Sequence, residues 1–225
     1  MRPRFALAAA AVGLAAFGCV WDINGDGAIT IACLGDSNTS YPIYGSYCEL
    51  IAAAYPSLTI LNYAVPGTKA VGGQNDGLAQ IAAAHAGDPA NGKPPADFVV
   101  LAFGTNDISD NGLISATEMA DRIDQLKAAA KADGMMVFVA SIPPRFLARA
   151  QPTDPCTPNP SSTPVIDAAD QRIQERTGSL WFVDFHTDVT CPDQFYVDGL
   201  HLNGTGQALR ASRLTDRIFY VPPWH

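Results

Sequence analysis

The amino-acid sequence predicts a three-layer α/β/α sandwich built on a parallel sheet. Three observations carry that expectation: five short apolar runs, helix-like segments between them, and polar motifs that begin where the runs end. The runs are continuous rather than alternating, as expected of strands buried on both faces. Repeated strand–helix alternation is the pattern of a parallel sheet with helices covering it. A chain of 225 residues suffices for one sizeable core, and 48% hydrophobic with 16% charged residues is globular composition. No internal repeat is visible.

The first nineteen residues read as a targeting segment. Arg2 and Arg4 give a positive start, and Phe5 to Phe17 form an uncharged Ala-rich run, too short to span a bilayer and laid out like a secretory signal. The expected division is therefore a signal peptide over 1–18, a short polar linker over 19–27 and one domain over 28–225. Gly18-Cys19 leaves acylation of Cys19, and with it a lipid anchor, open; Ala16 and Phe17 stand where a bacterial lipobox has a larger aliphatic and then a small residue.

The expected strands are Ala28–Leu34, Leu58–Ala64, Phe98–Phe103, Met135–Ser141 and Leu180–Asp184. Ser115-Ala-Thr-Glu118 is a capping-box sequence ahead of Met119, Ile123 and Leu126 at helical spacing, and Gly134 closes that helix. Thr163-Pro164 predicts a cap followed by proline at the first helical position before Val165–Arg176. Gly204–Phe219 supplies a final helix. Asp88–Pro95 is a Pro/Gly connection, and Pro143–Pro164 is a longer loop carrying seven prolines, expected to overhang the carboxyl end of the fourth strand.

Net charge is −8, and loss of residues 1–18 with Arg2 and Arg4 would make it −10. A surface that acidic repels phosphate backbones and anionic headgroups, which argues against nucleic acid as a partner and for neutral substrates. Of the five cysteines, Cys19, Cys33, Cys48, Cys156 and Cys191, none makes a CxxC pair. Cys156 and Cys191 lie in loop-like sequence and are the expected disulfide; Cys33, inside an apolar strand, is expected to be a small buried hydrophobe.

In open α/β sheets ligands bind beyond the carboxyl ends of the strands. The first run ends in Gly35-Asp36-Ser37-Asn38, the second leads to Pro66-Gly67-Thr68, the third ends in Gly104-Thr105-Asn106-Asp107, and Asp198-Gly199-Leu200-His201 precedes the last helix. Ester hydrolysis needs a nucleophile, a base, a group to orient the base, and donors for an oxyanion. Ser37 at a strand–helix junction, His201, and Asp198 three residues before it fit the first three roles. The backbone N–H groups of Ser37 and Gly67 and the amide of Asn106 fit the fourth. Each motif alone is ordinary turn chemistry; four in series after strands are not.

These four stretches resemble blocks I, II, III and V of the SGNH/GDSL hydrolases, in that order, from the first predicted strand to the last helix. The resemblance implies a flavodoxin-like five-stranded parallel sheet, a Ser/Gly/Asn/His site and a serine esterase in which Asp198 completes the triad. Asn38 stands where the family name has leucine. The GxSxG elbow of α/β-hydrolases is absent from the sequence.

Competing residues are few. His85 lies in an Ala-rich helix and His225 is the last residue; His186 follows the fifth strand but has no carboxylate at the Asp198–His201 spacing. Asp184, Asp188 and Asp193 are rival acids for which solvated or capping roles are expected. Asp22-Ile-Asn24-Gly-Asp26-Gly27 resembles half of a calcium loop, but Cys33 stands where the closing glutamate belongs, and a polar turn is expected. Tyr41, Tyr44, Phe146 and Tyr196 are candidates for sugar stacking or for ordinary packing.

The mechanism requires no metal or cofactor. Export, acidity and the lack of an apolar lid helix point to O-acetyl or short-acyl esters, on carbohydrate first. A lysophospholipase or thioesterase, a non-catalytic cell-surface glycan binder and an acyltransferase remain as alternatives, and the sequence carries no signal for oligomeric state.

Overall fold

Ile31 to Leu34 and Phe98 to Leu101 contain no charged side chain and are wholly buried, so their backbone groups must pair within a sheet. In the computed structural model, which describes residues 22–40, 45–108, 114–151, 154–191, 195–196 and 198–220, they form its centre. The strands are β1 (Thr30–Gly35), β2 (Thr59–Asn62), β3 (Phe98–Ala102), β4 (Met136–Ala140) and β5 (Phe182–Val183). All neighbours are parallel and the order is β2-β1-β3-β4-β5. That is the flavodoxin-like order, with its switch point between β1 and β3. The five expected strands are all present, each shorter than its apolar run. β2, an edge strand, is only half-buried.

Among the described residues six α-helices accompany them: α1 (Ser37–Ser40), α2 (Tyr47–Ala54), α3 (Gly77–Ala86), α4 (Ala116–Ala132), α5 (Thr163–Thr177) and α6 (Gly204–Tyr220). Side chains alternate across a strand, and the two cores follow that alternation. Ala32, Leu34, Val99, Leu101 and Val139 pack with Ile81 of α3, Ile123 and Leu126 of α4 and Ile173 of α5. Ile31, Cys33, Phe98, Val100 and Phe138 pack with Tyr47 and Ile51 of α2 and Leu214 of α6 on the other face.

Local chemistry sets the helix ends. Ser115 Oγ accepts the Glu118 N–H at 3.0 Å, as the sequence predicts, while the Glu118 carboxylate turns to Arg122. The full reciprocal capping box belongs instead to Ser46 and Glu49 at the start of α2. At α5 the expected cap is corrected. Thr163 is already helical, Ser162 is the N-cap without a side-chain bond, and Asn159 Oδ1 accepts the N–H groups of Ser161 and Ser162.

Cys156 and Cys191 are joined as expected, but Cys33 is not a free hydrophobe: it is bonded to Cys48. Its side chain leaves β1 on the face that α2 covers, and the two Cα atoms stand 6.5 Å apart, within bridging range.

Asp22, Asn24 and Asp26 form a polar turn in which Asp22 accepts the Asp26 and Gly27 N–H groups and Asp26 accepts that of Ala28. The expected targeting segment over 1–18, Cys19, Tyr41, Tyr44, Asp193 and His225 lie outside the described residues.

Candidate active site

The carboxyl ends of β1 and β3, at the switch point, carry the residues that matter. β1 closes on Gly35, where an added Cβ would stand 2.7 Å from the Ala102 carbonyl of β3, so only glycine fits. The buried amide of Gln80, from α3, holds this residue on both sides, accepting its N–H at 2.8 Å and donating to its carbonyl at 3.0 Å. Asp36 Oδ1 accepts the Asn38 N–H and starts α1, which presents Ser37. Burial pushes the Asp36 carboxyl up to about 6, outweighing that N–H and the Arg210 charge.

Ser37 Oγ lies 3.0 Å from His201 Nε2, and His201 Nδ1 lies 2.8 Å from Asp198 Oδ2. The other oxygen of Asp198 accepts the N–H groups of Leu200 and His201, at 2.9 and 3.0 Å. Burial raises the Asp198 carboxyl, but those N–H groups and the imidazole outweigh it and hold the group below its ordinary value. Asp198 therefore stays ionised, with Nδ1–H of His201 as its natural partner and the Nε2 lone pair left toward Ser37.

Block II is a turn in which the Thr68 N–H bonds the Val65 carbonyl, with Pro66 and Gly67 at its centre. Gly67 has φ +77°, the left-handed value that the third position of a type II turn requires. It is exposed, and an added Cβ would meet nothing within 4 Å. Asn106 Nδ2 donates to the Thr68 carbonyl at 2.9 Å, and Asp107 accepts the Ala70 N–H at 3.0 Å, so block III grips block II. Arg122 of α4 neutralises the buried Asp107 at 2.8 Å.

Ser37, Gly67, Asn106, Asp198 and His201 are all described, and Ser37, His201 and Asp198 meet in one hydrogen-bonded line. Of the rivals, His85 is exposed on α3. Asp184 caps its own turn through the N–H groups of His186 and Thr187, and Asp188 pairs with Arg213. His186 has no carboxylate at the Asp198–His201 spacing, but it has a partner from farther away in the sequence, Asp170 Oδ2 at 2.9 Å, contributed by α5. Phe146 packs edge-on against Phe195, an ordinary structural contact.

The Pro-rich loop braces the site. The Phe146 N–H donates to the Gly199 carbonyl, between Asp198 and His201, and Arg149 donates to the carbonyls of Phe195 and Tyr196 just ahead of Asp198. Sequence reasoning missed Gln80, Gln207 and Arg210, which are buried and bond the backbone around Ser37. Their only signal was a polar side chain on the apolar stripe of a helix.

Residues 33–209 match the family model described as the GDSL-like Lipase/Acylhydrolase family. No curated protein matches. Similar solved structures include a lipase/acylhydrolase from Enterococcus faecalis, 18% identical, covering 88% of this chain and 99% of that one with a TM-score of 0.62. A carbohydrate acetylesterase family member from Sinorhizobium meliloti is 15% identical over 84% of this chain and 97% of its own, at 0.63. A GDSL-like lipase from Bacteroides thetaiotaomicron VPI-5482 is 16% identical over 92% and 96%, at 0.59. At these identities the likeness is one of fold.

Proposed function

The chain belongs to the GDSL-like lipase/acylhydrolase family and is an ester-hydrolysing enzyme, and from that premise we propose that Ser37, His201 and Asp198 hydrolyse O-acetyl or short-acyl esters, carbohydrate esters first, through an acyl-enzyme. The observation that carries the proposal is the line from Asp198 through His201 to Ser37, with contacts of 2.8 and 3.0 Å. His201 Nε2 takes the hydroxyl proton as Ser37 Oγ attacks the acyl carbonyl. The oxyanion is held by the N–H groups of Ser37 and Gly67 and by Asn106 Nδ2. Collapse expels the alcohol, which receives the proton from His201 and leaves the acyl group on Ser37. Water then attacks, His201 removes its proton, and the acid departs with Ser37 reprotonated. Asp198, kept ionised, fixes the ring orientation and stabilises the imidazolium.

A small acyl group on a neutral carrier is supported by the net charge of −8 and by a structural neighbour described as a carbohydrate acetylesterase. Export is supported by the Arg2–Phe17 pattern and by two disulfides, which persist in oxidising compartments. Anchoring through Cys19 is the variant of that proposal to be read by mass spectrometry of the mature N-terminus.

The test is hydrolysis of p-nitrophenyl esters of increasing acyl length and of acetylated xylan, with Ser37→Ala as the control. Turnover greatest with acetyl and abolished in Ser37→Ala is expected. A preference for long acyl chains would favour a lipid acyl hydrolase. Unchanged activity in Ser37→Ala would overturn the mechanism.

A further inference from the structure

Asn38 stands directly after Ser37, where the family name has leucine, and is 2% exposed. Its Nδ2 donates to the Leu200 carbonyl at 3.2 Å, and its Oδ1 accepts the Leu202 N–H at 3.1 Å. Those two groups lie on either side of His201. The remaining polar backbone atoms of the stretch are also paired. The N–H groups of Leu200 and His201 bond Asp198, and the His201 carbonyl accepts the Tyr196 N–H at 3.0 Å.

Asn38 is itself immobilised. Its carbonyl accepts Gln207 Nε2 at 2.9 Å and Arg210 Nη1 at 3.0 Å, both from α6. The guanidinium of Arg210 lies over the rings of Tyr47 and Phe185, 5.7 and 4.7 Å from their centroids. A carboxamide on a one-carbon stem presents a donor and an acceptor side by side, as a peptide group does. Leucine would fill the space and leave both backbone partners unpaired in a buried place.

We propose that Asn38 is a positioning residue that sets the Ser37–His201 distance by clamping the backbone before and after His201. The inference rests on the reading that Ser37 and His201 carry the chemistry. Asp198 fixes which way the ring faces; Asn38 ties the segment bearing the ring to the residue adjoining the nucleophile. The two therefore move as one piece.

The experiment is a double-mutant cycle on p-nitrophenyl acetate hydrolysis with Asn38→Leu, His201→Ala and the double variant, alongside Ser37→Ala. Asn38→Leu is expected to lower kcat by about 10- to 100-fold with KM within about twofold, the size of a misplacement of about 1 Å. In the His201→Ala background the same change is expected to cost nothing further, since the clamp acts through His201. Asn38→Asp keeps the acceptor for Leu202 and loses the donor to Leu200, so it follows the same pattern if the leucine variant does not fold. Wild-type kcat in a folded Asn38 variant, a loss carried by KM, or an equal loss with and without His201 would each overturn the clamp. Activity retained in Ser37→Ala would instead remove the reading of the site beneath it.

Discussion

An amide nitrogen carries two hydrogens, and Asn106 commits one of them to the Thr68 carbonyl at 2.9 Å. That bond fixes the side chain against the turn bearing Gly67 and leaves the other hydrogen for the oxyanion that we propose it holds. Asn106→Ala is expected to lower kcat by roughly 10²- to 10³-fold, the loss typical of one oxyanion donor, with KM little changed; steady-state kinetics on p-nitrophenyl acetate would measure it. Asp198→Asn keeps the size of the side chain but offers an N–H where His201 needs an acceptor. It can hold the ring in the wrong tautomer, and kcat should fall by up to about 10⁴-fold while the melting temperature moves little. A variant retaining a tenth or more of wild-type kcat would show that Asp198 does not orient the base. Ser37 and Asn106 were legible as candidates because their motifs follow β1 and β3, and Asp198 and His201 because they stand three residues apart just ahead of the last helix. The bonds of Asn38 and Gln80 were not. A buried amide declares itself in sequence only as a polar residue, and Gly35 lies 45 residues from Gln80, while Leu200 and Leu202 lie 162 and 164 from Asn38.

Elements hold those residues in register, and two connections between elements carry most of that task. Gly199 has φ +67°, and an added Cβ would fall 2.5 Å from the Phe146 carbonyl oxygen. Gly199→Ala combines a left-handed alanine, which costs about 1–2 kcal/mol, with a collision against the Pro-rich loop that braces the segment bearing His201. Both melting temperature and kcat are expected to fall; an alanine variant equal to wild type in both would show that the brace is not needed. The second connection is Cys33–Cys48, which ties β1 to α2 across 15 residues. Closing a loop of that length stabilises by about 3 kcal/mol in the chain-entropy account, so Cys48→Ser should lower unfolding free energy in urea by roughly that amount. The sequence predicted a buried Cys33 and was right about its burial. It could not reveal that Cys48 sits on a helix packed against that face of β1, since the face depends on register. For the same reason the reciprocal cap at Ser46 and the shifted start of α5 at Thr163 escaped notice, where propensity locates a helix but not its first residue.

Strand order is a property of the molecule that periodicity cannot supply, and the order β2-β1-β3-β4-β5 was anticipated only through the family resemblance. The same long-range assembly creates the His186–Asp170 pair, whose members come from the end of β5 and from α5. Asp170 also accepts the Ile142 N–H at 2.8 Å, so the pair joins β4, α5 and β5 at the sheet's far edge. Asp167 of α5 and Asp184 after β5 face His186 as well, and Arg213 of α6 pairs with Asp184. The hydrogen bond that His186 donates to Asp170 leads in raising His186 above its ordinary 6.5; burial opposes it, and the charges of Asp170, Asp167 and Asp184 add to the rise. A histidine that binds its proton more tightly when folded stabilises fully below the unfolded value and loses that contribution as pH climbs through the folded one. Stability from this joint is thus full below pH 6.5 and is lost as the pH rises above it. Replacing His186 alone would leave Asp170 buried without its cation and bring its own titration into the window, so both groups must go. His186→Gln with Asp170→Asn keeps an acceptor for Ile142 and removes both titrations. Thermal unfolding between pH 6 and 9 should then fall less steeply in the double variant than in wild type. Parallel curves would mean that the pair contributes nothing to the pH dependence of the fold.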